Sequence, residues 1–221
     1  MISRAMEDYL KAIYELSTEG ERVSTSKLAQ RMACSAASAT NMVQKLSALK
    51  LVEYTPYQGV LLTAAGSKIA LETLRHHRLI ELYLLEVLGY SWDEVHAEAD
   101  ELEHVISEEF EDRIDRALGY PTRDPHGHPI PTRDGQIAAE NASSLWDSSE
   151  GQQVVVQRVS DRDPEALRYL ASLGIYPEVK LGIIGKAPFN GPVQIEIGNS
   201  EHSLSEELAR QIYVIPKGPD H

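Results

Sequence analysis

The sequence predicts a mainly α-helical chain with a β-rich tail: a winged helix-turn-helix at the N-terminus, a helical middle domain, and a small C-terminal β-barrel. Three observations carry this. Apolar residues recur at helical spacing from Met6 to Ile114, a Pro- and Gly-dense loop runs from Gly119 to Gly135, and beyond residue 151 the pattern changes to short β-rich runs broken by turns. The expected boundaries are 1–70, 71–138, a linker at 139–150, and 151–221.

Ser3 can cap a first helix in which Met6, Leu10, Ile13 and Leu16 share a face, with a break at Gly20. STSKLAQRMA reads as a short second helix with Leu28 and Met32 inward. Ser35 is placed to cap a third, whose stripe is Ala39, Met42, Val43, Leu46 and Leu49 and whose outward residues include Ser38, Asn41 and Lys45. LVEYTPYQGVLLT holds two short strands around a Pro-Tyr-Gln-Gly turn, the pattern of a hairpin. Helix, short helix, tight turn, helix and hairpin describe a winged helix-turn-helix, in which the second helix of the pair enters the major groove and the wing lies along the backbone. A three-helix scaffold with no DNA role shares the same spacing.

From Thr63 a long helical stretch runs to the turn before Tyr90-Ser91, and a further helix is expected over Val95–Ile114. Both carry a broad apolar stripe, which implies helix pairing or a dimer surface. AENASSLWDSSE (139–150) reads as a flexible linker. QQVVVQRV, VKLGIIGK, PVQIEIG and IYVIP read as strands and PEALRYLASLG as a short helix, together a small barrel.

Composition bounds the function. The 221-residue chain carries a formal charge of −13, which disfavours wholesale nucleic-acid binding. The charge is uneven: residues 1–80 hold ten Lys/Arg against seven Asp/Glu, the remainder eleven against twenty-seven. The first third can therefore meet phosphate while the rest collects cations. No apolar run approaches the roughly 18 residues of a membrane span, and MISRAMEDYL lacks the layout of a secretory signal, so a cytoplasmic protein is expected. The single Cys34 excludes an intramolecular disulfide and a multi-thiolate zinc site.

The densest chemistry lies in VHAEADELEHVISEEFEDRI, with two histidines and eight acids. On an ideal helix Val95, Ala99, Leu102, Ile106 and Phe110 fall within about 80° as a core stripe, while His96, Asp100, Glu103 and His104 occupy a neighbouring sector of about 100°. Glu98, Glu101, Glu108, Glu109, Glu111 and Asp112 face elsewhere as solvated charge. Carboxylates and imidazoles at the edge of a core are costly unless neutralised, and a divalent cation does that; a charged flank with exposed histidines is the plain alternative. His77 and Glu81 share a face of the preceding helix, and Asp8 on the first helix adds a third contributor.

M-x-D-Y-L-K-A-I-Y-E-L from Met6, H-R-L-I-E from His77, V-H-x-E-A-D-x-x-E-H from Val95 and the H-G-H-P-I-P loop resemble the diphtheria toxin repressor family of metalloregulators over most of the chain. The resemblance implies a helical metal-binding and dimerisation domain and an SH3-like (FeoA-like) barrel after the winged helix. It implies a primary site at Asp8, Asp100, Glu103 and His104, and an ancillary site at His77, Glu81 and His96 to which the barrel adds Asp161 and Asp163. Iron-responsive members hold methionine and cysteine where this chain has Asp8 and Asp100; hard carboxylates favour Mn(II), with Fe(II) the alternative. Manganese-responsive relatives hold a glutamate where this chain has Lys11, which as a cation cannot ligate. An anion near the ancillary metal is assigned to Arg78. In the loop beside it, Asp124, His126 and His128 are residue types that ligate metal, although exposed loop histidines are usually inert.

For DNA, the matching positions are Ser35, Ala37, Ser38, Thr40 and Asn41, with Lys45 toward a phosphate. The implied function is a metal-dependent repressor that binds palindromic operator DNA as a homodimer and controls metal-homeostasis genes. Two rivals come from other classes: a metal-dependent hydrolase using the same cluster, for which no cleft or partnered general base is evident, and a redox-sensing regulator built on Cys34.

Overall fold

Ser24 and Ser35 each place a hydroxyl over the first turn of a helix, accepting from the backbone N–H of Lys27 and Ser38, and these two caps set the N-terminal domain. The computed structural model describes residues 2–17, 21–189 and 191–217; the expected break at Gly20 lies outside them. The chain divides into two units, each with its own core.

The first unit comprises residues 1–77, 101–108 and 131–136. It contains α1 (Arg4–Leu16), α2 (Thr25–Arg31), α3 (Ala36–Ala48), the antiparallel hairpin β1 (Val52–Thr55) and β2 (Gly59–Leu62), and the start of α4 (Ala64–Glu86). Ser3 occupies the N-cap position of α1 without a side-chain bond. Leu10, Ile13, Leu28, Ala39, Val43, Leu46 and Val60 are fully buried and bind the three helices to the hairpin. Leu49, expected on the α3 stripe, is 52% exposed because the helix stops at Ala48 and its last turn leaves the core. Gly59 has φ +109°, and a Cβ there would lie 2.5 Å from the Val23 carbonyl, so only glycine lets the wing close on the segment before α2. Cys34 packs at the edge of this core with Sγ 3.1 Å from the Tyr9 hydroxyl.

The second unit comprises residues 78–100, 109–130 and 137–221. Beyond the rest of α4 and most of α5 (Val95–Leu102), it contains α6 (Glu108–Ala117) and a six-stranded antiparallel sheet in the order β3-β8-β4-β5-β6-β7. Its members are β3 (Ser143–Ser144), β4 (Gln153–Val159), β5 (Lys180–Lys186), β6 (Val193–Ile197), β7 (Ser200–Leu204) and β8 (Ile212–Pro216), with helices α7 (Pro164–Ser172) and α8 (Glu206–Ala209). Val154, Val156, Leu167, Leu170, Leu181 and Ile195 alternate inward to fill the barrel core, as period-2 strands and one amphipathic helix require. A smaller cluster of Leu79, Ile114 and Ile130 packs α4 on α6 and the loop that follows.

Three expectations are corrected. The helix expected over Val95–Ile114 breaks: α5 ends at Leu102, Glu103–Val105 form a turn, and α6 starts at Glu108. The break resets the wheel, so Phe110 is 45% exposed while Glu111, assigned to solvent, is buried. The linker is shorter than expected, because Ser143 and Ser144 pair with β8 and Leu145 and Trp146 enter the barrel core. Polar β7, SEHSL, escaped notice because four of its five residues lie outside the core and leave no apolar alternation to read. Among the described residues no helix is long and apolar enough to cross a membrane.

Candidate metal centres

The helical break builds the first cluster. Once α5 has ended, Glu103 and His104 are free to turn toward α1, and the His76 Nδ1–H on α4 holds the turn by donating to the Glu103 carbonyl at 3.0 Å. His104 Nε2 then lies 2.8 Å from Asp8 Oδ1 and 3.3 Å from Glu103 Oε1. Asp8, Glu103 and His104 each offer one ligand atom within 4.8 Å of the others, a donor set of two carboxylate oxygens and one imidazole nitrogen. His104 Nδ1 lies 2.6 Å from Glu7 Oε2 on the far side of the ring, so Nε2 is the nitrogen turned toward Asp8 and Glu103. Glu7 was not singled out in the sequence; its signal is that it immediately precedes Asp8 on α1, about 100° around the helix.

Electrostatics sort these carboxyls. Burial pushes the Asp8 carboxyl up; His104 pulls it back more than Glu103 adds, but not enough to undo the effect of burial. Burial also works against ionised Glu103, but His77 and Lys11 outweigh it and hold its carboxyl below the usual range. Lys11 Nζ donates to Glu103 Oε2 at 2.7 Å, and His77 Nδ1 lies 2.5 Å from the same oxygen. His77, expected in the ancillary set, has Nδ1 against both Glu103 Oε2 and Lys11 Nζ.

The second cluster lies within the second unit. Glu81 Oε1 is 3.1 Å from His96 Nδ1, Asp161 Oδ2 is 3.7 Å from the same nitrogen, and Glu81 Oε2 is 3.7 Å from His126 Nδ1. Glu81, His96 and Asp161 are therefore neighbours, as expected. Asp100, expected at the primary site, has Oδ2 3.7 Å from His96 Nε2 on its own helix. Asp163 is not part of this cluster: its carboxylate is the N-cap of α7, accepting from Glu165 N and Ala166 N, a task an Asp before Pro commonly takes.

The loop between Arg123 and Pro129 supplies what the sequence left as inert. His126 is fully buried, and its Nε2 lies 2.9 Å from the Trp92 carbonyl. A carbonyl only accepts, so Nε2 carries the proton and Nδ1 is the atom left for a ligand. Asp124 Oδ1 accepts from the backbone of His126 and His128, which shapes the turn and leaves Oδ2 3.3 Å from His128 Nδ1. Asp124 Oδ2, His126 Nδ1 and His128 Nδ1 are buried and make no hydrogen bond, a state native proteins rarely tolerate. Burial works against a charged His126, but Glu81, Asp124 and Asp161 outweigh it and hold the imidazole up at about 9; His128 is raised in the same way. Three orphaned ligand atoms amid carboxylates fit a cation. Arg78 Nε lies 3.6 Å from Asp124 Oδ2 and its guanidinium donates to the Pro129 carbonyl, so the chain's own carboxylate already faces it.

On α3, Ala37, Ser38, Asn41 and Lys45 are exposed. Ser35 is exposed but spends its hydroxyl on the cap, and half-buried Thr40 donates back to the Ala36 carbonyl at 2.8 Å. The first four are thus free to face a groove.

Comparisons with known proteins place the chain in a family. Residues 1–60 match the N-terminal DNA binding domain of iron dependent repressors, 63–132 their metal binding and dimerisation domain, and 144–216 the FeoA domain. The chain is 30% identical to the iron-dependent repressor IdeR of Mycobacterium leprae over 221 residues, covering 94% of this chain and 95% of that protein. It is 29% identical to the diphtheria toxin repressor of Corynebacterium glutamicum, covering 94% of each. Its fold matches a manganese-dependent transcriptional repressor solved with manganese at a TM-score of 0.89 and 40% identity, covering 96% of this chain and all of that one. The manganese regulator SloR matches at 0.79 and 36%, covering 96% and 98%. A winged helix, a helical dimerisation domain and an SH3-like barrel, in that order, define a metal-responsive DNA-binding transcriptional regulator. The chain belongs to the diphtheria toxin repressor family, whose members regulate transcription, and the hydrolase alternative falls with that assignment.

Proposed function

We propose that this chain is a repressor that binds palindromic operator DNA as a homodimer when loaded with Mn(II). The observation that carries the reading is the convergence of Asp8 Oδ1, Glu103 Oε1 and His104 Nε2, because it joins α1 of the DNA-binding domain to the Glu103–Val105 turn. An ion there, ligated by Asp8, Glu103 and His104, supplies the positive charge that lets two acids and an imidazole stay close. Asp100 is assigned to the same ion by the family resemblance. Without metal the link between α1 and the turn lacks its ion, and α1 pays an ordering cost on DNA. By linkage the metal binds the DNA-competent state more tightly, and DNA raises metal affinity by the same factor.

A donor set of oxygen and imidazole nitrogen without sulfur supports Mn(II) over softer ions, with Fe(II) as the alternative. Glu81, His96, Asp124, His126 and Asp161 would hold a second ion in the second unit. Asn41 and Lys45 carry base and phosphate contacts on α3. The test is a DNA-binding titration on fragments from upstream of the gene, with Mn(II), Fe(II) and chelator in parallel. Binding that responds to Mn(II) and is lost with chelator supports the reading; binding indifferent to every metal overturns it.

A further inference from the structure

The ion proposed for the first unit uses Asp8, Glu103 and His104, and the buried Lys11 ammonium lies against the same Glu103. We propose that Lys11 is a resident cation that fills the place of a second divalent ion and so holds this site to a single metal. The proposal rests on the metal assignment of Asp8, Glu103 and His104.

Glu103 divides its two oxygens. Oε1 faces His104 Nε2 at 3.3 Å, on the side where the ion would bind. Oε2 accepts from Lys11 Nζ at 2.7 Å, and Nζ lies 3.0 Å from His77 Nδ1. A carboxylate oxygen and a ring nitrogen are the donors a second divalent ion would take, and a shared carboxylate is how two ions are bridged. Here the bridge runs from the ligand side to an ammonium instead. The Lys11 and Glu103 side chains are 8% and 1% exposed, so neither charge can be relieved by water. A second divalent ion on Oε2 would leave the buried ammonium without its counter-charge, which is strongly unfavourable. A free ion can also be chelated away, whereas Lys11 is tethered to α1. Two consequences follow: the metal-free site keeps Glu103 neutralised, and the single ion binds opposite a fixed positive charge.

The test is a Mn(II) titration of the full chain by calorimetry and electron paramagnetic resonance. His104→Ala should bind one ion fewer per chain than wild type. Lys11→Glu should bind one more than wild type and show the spectrum of a spin-coupled pair, whereas Lys11→Arg should match wild type. Lys11→Met, which keeps the chain length and removes the charge, gives a readout that needs no second ion. Its metal-free form should melt below wild type, and its first Mn(II) should bind about tenfold more tightly. The proposal is overturned if Lys11→Glu and Lys11→Met both match wild type in ion count, affinity and metal-free melting, or if Lys11→Arg gains an ion. If His104→Ala binds as many ions as wild type, the metal assignment itself fails.

Discussion

Exchanging Glu7 for glutamine isolates how a residue that never touches the ion sets its affinity. Glu7 Oε2 accepts from the His104 Nδ1–H at 2.6 Å, and the imidazole's other nitrogen faces Asp8 and Glu103. The carboxylate orients the ring and raises the basicity of Nε2; glutamine keeps the length and an accepting oxygen but loses the charge. Removing such an outer partner costs about 10–100-fold in metal affinity, or about 1.4–2.8 kcal/mol at 1.4 kcal/mol per tenfold. The glutamate side chain is partly exposed, which places the expectation at the lower end. Calorimetric Mn(II) titration of Glu7→Gln should show the weaker ion, and the free Mn(II) needed for half-maximal DNA binding should rise by the same factor. DNA affinity at saturating Mn(II) should stay within twofold of wild type. An unchanged Mn(II) dissociation constant would refute the orienting role of Glu7.

Three other perturbations probe the remaining features. Gly127 has φ +91°, and a Cβ would lie 2.1 Å from the Gln157 carbonyl, so Gly127→Ala must lift the Asp124–His128 loop off β4. It should cost about 1–3 kcal/mol in chemical denaturation and lose the second-unit ion; retention of that ion at wild-type affinity would contradict the assignment. In metal-free protein, the His126 imidazolium held up at about 9 contributes stability that is complete below its unfolded value of about 6.5 and is lost as pH rises through about 9. Melting in the presence of chelator should therefore move to lower temperature from pH 7 to 9.5, and a flat profile would discount the cluster's charge on His126. On the exposed face of α3, Lys45→Ala should weaken binding to all DNA sequences and lower the salt slope by about 1, whereas Asn41→Ala should cost about 1–3 kcal/mol and relax preference at one base pair. Equal losses on operator and random DNA for Asn41→Ala would place it on the backbone instead.

The winged helix was legible because each of its signals is local: Ser24 and Ser35 precede their helices, and the Pro-Tyr-Gln-Gly turn sits between two β-rich runs. The barrel strands were legible for the same reason, apart from β7, whose stability comes from pairing between β6 and solvent rather than from an apolar face. The break after Leu102 was not legible, because a wheel counts spacing and knows nothing of the contacts that reward stopping. His104 reaches Glu7 and Asp8 across ninety-odd positions of sequence, and those contacts replace a helical turn. His126 escaped for a related reason. Pro, Gly and polar neighbours read as solvent loop, while its complete burial and its bond to the Trp92 carbonyl are tertiary facts.

Asp124 gives the Arg78 guanidinium a counter-charge on the same polypeptide, 3.6 Å from Nε. A tethered carboxylate acts at a high and constant effective concentration, set by the loop rather than by the solution. A free anion approaching Arg78 would therefore compete with a carboxylate already in place.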